Sequence, residues 1–240
     1  MNGKDRLIIA LDFPKMEDAV KLVEKLENEA TFYKVGLELF LNSNGEIIKY
    51  LKDNNKKIFL DLKFHDIPNT TSMAAIFAAK KDVFMFNVHA TGGKKMMTKV
   101  VEEVRKINNS SLLIAVTILT SFSEEEIKET FKTKASIQEL AMNLATLSKE
   151  SGMNGIVCSP WEANLIKENL GDDFKTVCPG VRPLWAATND QQRIMTPKNA
   201  IINGCDFLVV GRPITKNEDP KKAVKLIIKE IEEGLILKIN

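Results

Sequence analysis

Residues 61–66 read Asp-Leu-Lys-Phe-His-Asp, which sets a lysine two positions after one aspartate and three before another. Side chains two apart on a β-strand point the same way. On a strand, then, Asp61 and Lys63 share a face with Phe59, while Leu60 and Leu62 share the other. A carboxylate and an ammonium held side by side can bind an ionic group, move a proton, or stabilise charge that develops in a reaction. Two earlier segments offer matching groups: Leu-Ile-Ile-Ala-Leu-Asp ends at Asp12, and Phe-Tyr-Lys-Val-Gly carries Lys34. On neighbouring strands, Asp12, Lys34, Asp61 and Lys63 converge, with Asp66 just beyond. The bland alternative is a ring of structural ion pairs. Buried charge is costly unless paired, and lysine alternating with aspartate on three successive strands favours a site over such a ring.

These groups need a frame. Eight short apolar runs recur along the chain, at 7–12, 32–37, 58–63, 85–90, 112–119, 155–159, 176–180 and 207–211. Between them lie segments such as 16–29, 70–81, 94–107 and 136–150, with apolar residues at three- and four-residue spacing. That spacing marks amphipathic helices, and strands alternating with helices imply a parallel sheet. Eight such units in 240 residues fit one closed (β/α)8 TIM barrel over residues 1–240, because such barrels take about 250 residues. Their active sites lie at the C-terminal strand ends, where Asp61 and Lys63 fall. An open doubly wound sheet is the runner-up, but neither G-x-G-x-x-G after the first strand nor G-x-x-x-x-G-K-[ST] is present. The longest stretch without clear periodicity is 181–195, between the last two strands, and long barrel loops there are often binding loops.

Composition narrows the class further. Lys and Arg total 34 against 32 Asp and Glu, and 44% of residues are hydrophobic. Global disorder and a generally basic nucleic-acid binder are both disfavoured. Cys158, Cys178 and Cys205 cannot all pair and form no C-x-x-C, so they read as core fillers in a reducing compartment. No apolar run is long enough to span a membrane, and the five apolar residues before Asp12 are too few for a signal-peptide core. The expected location is the cytoplasm.

Other residues invite stronger readings than they support. His65 and His89 lie near the same mouth, yet they give no metal-ligand spacing and are expected to be structural, His65 through hydrogen bonding. Met96 and Met97 suit packing. Residues 123–128 read as a solvated helix start with acids in its first turn, and 220–234 as a closing amphipathic helix. Trp185 is either a packing plug or an exposed aromatic.

The string Asp61-Leu62-Lys63-Phe64-His65-Asp66-Ile67-Pro68-Asn69-Thr70 resembles the signature of the orotidine 5'-phosphate decarboxylase family. Its D-x-K-x-x-D core also occurs in related phosphate-binding decarboxylases and aldolases; the full string is more specific. Further similarity lies in Ile9–Asp12, Tyr33–Gly36, Val116–Ser121, Pro179–Arg182, Asp190–Pro197 and Val209–Ile214, in order along essentially the whole chain.

The resemblance implies decarboxylation of orotidine 5'-monophosphate to uridine 5'-monophosphate, the last step of de novo synthesis of that nucleotide. It implies no metal and no organic cofactor. Lys63 becomes the general acid, stabilising charge at C6 before protonating it. Asp61 sits by the substrate carboxylate between Lys34 and Lys63. Asp12 and Lys34 bond the ribose hydroxyls. Asp66 and Thr70 reach the site of a second copy, which implies a homodimer. Arg182, Gln191, Gly211 and Arg212 take the phosphate, for which Gly211 allows close backbone approach and Arg212 a bidentate fork. Thr120 or Ser121 contacts the pyrimidine, and the choice between them stays open. The nearest rival is a magnesium-dependent sugar-phosphate decarboxylase or synthase on a related barrel, disfavoured by Lys34 beside Asp61. A catalytically dead scaffold is a second rival, disfavoured by the intact charges.

Overall fold

The computed structural model describes residues 2–186 and 195–239. Eight parallel strands pair in sequence order: β1 (Leu7–Ala10), β2 (Phe32–Gly36), β3 (Lys57–Phe64), β4 (Met85–His89), β5 (Leu112–Val116), β6 (Gly155–Val157), β7 (Lys175–Cys178) and β8 (Phe207–Val210). β8 returns to β1, so the sheet closes into the expected (β/α)8 barrel and leaves no open edge. One principal helix follows each strand: α1 (Met16–Leu26), α2 (Glu46–Asp53), α3 (Pro68–Lys80), α4 (Gly93–Arg105), α5 (Ile137–Glu150), α6 (Ala163–Leu170), α7 (Pro197–Ile202) and α8 (Pro220–Ile239). Further helices, Leu37–Asn42, Glu124–Phe131 and Arg212–Thr215 among them, lie in the connections.

Alternation along the strands builds two cores. Ile8, Phe32, Phe59, Met85, Ile114, Val177 and Phe207 point inward and fill the barrel floor. There the Phe32 ring meets Phe84 and Phe207 edge-on, at 5.1 and 6.0 Å between centroids. Their strand neighbours, such as Ile9, Tyr33, Leu60 and Phe86, point outward against the helices. The helices answer with apolar stripes: α1 buries Ala19, Leu22, Val23 and Leu26, and α4 buries Met96, Met97, Val100 and Val104. Met96 and Met97 are thus packing residues. Ser123 and Ser136 each open a helix with a capping box, closed by Glu126 and Glu139; such a cap is worth about 1 kcal/mol.

Strand ends differ from the sequence expectation in one consistent way. Seven apolar runs continue past the assigned strand, and several of their last residues, such as Asp12, Leu119, Gly180 and Gly211, line the mouth. The 112–119 run, for example, ends its strand at Val116 and sends Ile118 and Leu119 to the mouth. β3 does the opposite and extends through Phe64. The three cysteines are free and buried, with the Cys158 and Cys178 sulfurs 3.8 Å apart. Among the described residues no helix is long and apolar enough to cross a membrane.

Candidate active site

A cavity of about 350 Å³ opens at the C-terminal ends of the strands, a volume that suits a small metabolite. Asp12, Lys34, Asp61 and Lys63 line one side of it; Arg182, Gly211 and Arg212 line another. The same alternation that fills the floor puts them there. On β2, Phe32 is inward and so is Lys34; on β3, Phe59 is inward and so are Asp61 and Lys63.

The first four form a continuous chain of opposite charges. The Lys34 ammonium donates to Asp12 Oδ1 at 2.9 Å and lies 3.4 Å from Asp61 Oδ2. The Lys63 ammonium donates to Asp61 Oδ1 at 2.7 Å. Lys34 and Asp61 are the sheltered members, their side chains 12% and 11% exposed. Burial by itself would raise the Asp61 carboxyl, but Lys34 and Lys63 outweigh it and hold the group below its ordinary range. Burial would likewise depress Lys34, and Asp61 and Asp12 outweigh it, so that ammonium is held above its ordinary value. Both groups therefore stay charged across the neutral range. Gly36 makes room: a Cβ there would stand 3.2 Å from the Lys34 nitrogen.

β3 is irregular where it carries this chemistry. Its register with β4 runs Leu60 to Phe86, then Phe64 to Val88. Three β3 residues thus oppose the single residue Asn87. Lys63 lies within this bulge at φ +51°, a left-handed conformation that costs a non-glycine residue about 1–2 kcal/mol. Asn87 is fully buried, accepts from the Lys63 backbone N–H at 2.8 Å and donates to Asp61 Oδ1 at 2.7 Å. Sequence reasoning passed over Asn87; its only trace is a polar residue inside the apolar run 85–90.

The opposite side of the cavity carries the two arginines. Among the described residues neither the Arg182 nor the Arg212 guanidinium makes an ion pair. Gly180 turns into their loop at φ +79°, where glycine is at ease. Val181 pairs with Met195, and the Arg182 N–H donates to the Met195 carbonyl at 3.0 Å, which pins the two ends of the 181–195 connection together. A Cβ on Gly211 would stand 3.6 Å from the Ala10 Cβ and 3.7 Å from Asp12 Oδ2, so a side chain there would project toward the site. Trp185 is exposed and lines an adjoining cavity with Arg182, Arg212 and Lys216. Gln191 lies outside the described residues.

Ile118, Leu119, Val157 and Pro179 form an apolar wall, with Thr120 beside them; Ser121 is not among the lining residues. Asp66 and Thr70 are exposed and do not line this cavity. The Asp66 carboxylate accepts from the Ile67 N–H at 2.6 Å, and its carbonyl accepts from the Thr71 hydroxyl. His65 stacks on His89 at 5.3 Å between ring centroids, so the contact it makes among the described residues is a ring and not the expected hydrogen bond. Burial, then the neighbouring His65 and Lys63, depress His89 below its ordinary value, and its Nδ1 is 2.9 Å from the Thr91 hydroxyl. Among the described residues no three His, Cys, Asp or Glu side chains are grouped to hold a metal ion.

An ammonium held against a carboxylate at one end, and guanidinium groups with no ion pair among the described residues at the other, suit a small anionic substrate that gains a proton. Comparisons with known proteins agree in kind. Residues 5–227 match the model of the orotidine 5'-phosphate decarboxylase / HUMPS family. The chain is 46% identical over 232 residues to the orotidine 5'-phosphate decarboxylase of Hahella chejuensis, covering 97% of this chain and 99% of that one. It is 45% identical over 240 residues to the enzyme of the same name from Syntrophotalea carbinolica, covering 98% of each. A crystal structure of orotidine 5'-phosphate decarboxylase from Lactobacillus acidophilus superposes with a TM-score of 0.84 at 39% identity, over 94% of this chain and 98% of that one.

Proposed function

The chain belongs to the orotidine 5'-phosphate decarboxylase / HUMPS family as a decarboxylase of pyrimidine biosynthesis, and we propose that it converts orotidine 5'-monophosphate to uridine 5'-monophosphate and carbon dioxide through the charged array at the barrel mouth. The observation that carries this reading is the continuous Asp12–Lys34–Asp61–Lys63 chain facing a cavity that ends in Arg182 and Arg212.

The chemistry follows from the charges. Cleaving the bond between C6 and the carboxylate leaves an electron pair in an sp² orbital with no adjacent sink, so the protein must supply the stabilisation. Asp61 faces the departing carboxylate and disfavours the bound ground state. The Lys63 ammonium stabilises the pair at C6 and then donates its proton there; the neutral amine recovers a proton from water. Lys34 and Asp12 hold the ribose hydroxyls. Arg182, Gln191, the Gly211 backbone and Arg212 hold the phosphate, so remote binding energy is used at the reacting carbon. Thr120 contacts the pyrimidine with the apolar wall behind it; its place in the lining favours it over Ser121.

We read residues 1–240 as one barrel domain that works as a cytoplasmic homodimer, in which Asp66 and Thr70 complete the partner's site. Two observations support the dimer. Asp66 and Thr70 are exposed and leave their own cavity unlined. In the same segment Ile67, Met73 and Phe77 expose large apolar side chains, as do Leu37 and Leu41. Mixing inactive Lys63→Ala and Asp66→Ala proteins regenerates native sites if subunits exchange; no recovery despite measured exchange counts against sharing. Three free buried cysteines suit a reducing location.

The reaction is tested by following the fall in near-ultraviolet absorbance as pure protein consumes orotidine 5'-monophosphate, with and without EDTA. EDTA-insensitive turnover is expected. No absorbance change with excess substrate sinks the reading.

A further inference from the structure

The geometry points to Asn87 as a positioning residue for the decarboxylation: its buried carboxamide replaces the strand ladder that the β3 bulge gives up, and so holds the Lys63 backbone and the Asp61 carboxylate in working register. The inference rests on the proposed reaction. Asn87 does not line the cavity and so acts through others.

In a regular parallel sheet alternate β3 residues would bond to β4 and the others to β2. Here residues 61–63 face Asn87 alone, between the pairs Leu60–Phe86 and Phe64–Val88. A buried backbone N–H without an acceptor is costly. The Lys63 N–H finds its acceptor in Asn87 Oδ1 at 2.8 Å, while φ there is +51°. The other end of the same amide donates to Asp61 Oδ1 at 2.7 Å, the oxygen that also accepts from the Lys63 ammonium at 2.7 Å. One rigid group therefore fixes where Lys63 leaves the backbone and where its ammonium is received. The amide works in only one orientation, because reversed it would set oxygen against oxygen and N–H against N–H. Neither leucine, which has no hydrogen bonds to give, nor aspartate, which has only acceptors when ionised, can do both.

The charged and titratable groups around Asp61 are Lys34 from β2 and Lys63 from its own strand; Asp12 reaches it through Lys34, and His89 stands near Lys63. Asn87 adds a donor that favours the ionised carboxylate. Removing that donor moves the acid limb of the pH–rate profile to higher pH. A carboxylate in its place moves it further, because two neighbouring carboxylates resist joint ionisation.

The test compares Asn87→Leu and Asn87→Asp with wild type by kcat, KM and the acid limb, each per folded molecule, with Tm measured alongside. For Asn87→Leu, kcat is expected to fall about 100-fold, the cost of a displacement near 1 Å, with KM within about threefold because the phosphate contacts remain. The acid limb rises in the order wild type, Asn87→Leu, Asn87→Asp. A merely structural Asn87 would lower Tm and leave kcat per folded molecule and the acid limb in place, and that result overturns the inference. Should Asn87→Leu fail to fold, Asn87→Asp, nearly identical in shape, decides it: an unshifted acid limb overturns. Wild type without turnover overturns the proposed reaction and this inference with it. Active wild type beside unaltered variants overturns this inference alone.

Discussion

The two ends of the cavity treat charge in opposite ways. At the strand end, Asp12, Lys34, Asp61 and Lys63 are paired among themselves before any ligand arrives, at 2.7–3.4 Å. At the loop end, Arg182 and Arg212 face the cavity without ion pairs among the described residues. The first end rests on β-strands and on a buried amide. The second rests on connections after β7 and β8. The difference separates two tasks. Groups that act on developing charge must already be aligned, because reorganisation during the reaction raises the barrier. Groups that capture an anion should be unsatisfied until it comes, so that their hydrogen bonds add to binding.

The largest effect should come from the paired end. Lys63→Ala removes the proton donor and the stabilising charge together, so kcat should fall by roughly 10⁴-fold or more, from about 10²–10⁴ for general acid catalysis and about 10²–10³ for electrostatic stabilisation. Binding of uridine 5'-monophosphate, measured by calorimetry, should change little. A comparable loss of product affinity would erase the distinction between the ends. Arg212→Ala should give the reverse pattern. Losing a bidentate, charge-assisted contact worth about 1.5–3 kcal/mol per hydrogen bond should lower kcat/KM about 100-fold or more and weaken product binding in step. Near-normal product binding would remove Arg212 from the phosphate site. Smallest is the response to salt. Arg212 is exposed, whereas Lys34 and Asp61 are sheltered. Raising ionic strength from about 0.01 to 0.15 M shortens the screening length from about 30 to 8 Å, so KM should rise a few-fold while kcat holds. A salt-sensitive kcat with a constant KM would invert the comparison.

The paired end was also the more legible in sequence. Period-two alternation is enough to place Lys34 and Asp61 on inward faces, and the apolar floor beneath them follows from the same rule. The barrel itself was legible from eight apolar runs separated by helical spacing. What escaped was whatever depends on a strand's partner. The bulge between β3 and β4, the left-handed turn at Lys63 and the reach of Asn87 to both Asp61 and Lys63 all need two strands in register. His65 was another case, since its stacking partner His89 lies on the neighbouring strand. Run lengths misled for a related reason: residues such as Ile118 are apolar because they line the mouth, and hydropathy does not distinguish a wall from a ladder.

The left-handed backbone at Lys63 makes that position a place where durability and chemistry compete. Glycine enters this region freely, while a side chain at φ +51° carries a standing strain. Ordinarily glycine within a strand is the poorer choice than alanine; here the ranking should reverse, with Lys63→Gly melting above Lys63→Ala by about 1 kcal/mol of stability. A lineage released from the need for this reaction would drift toward glycine at position 63, exchanging a working lysine for a more relaxed barrel.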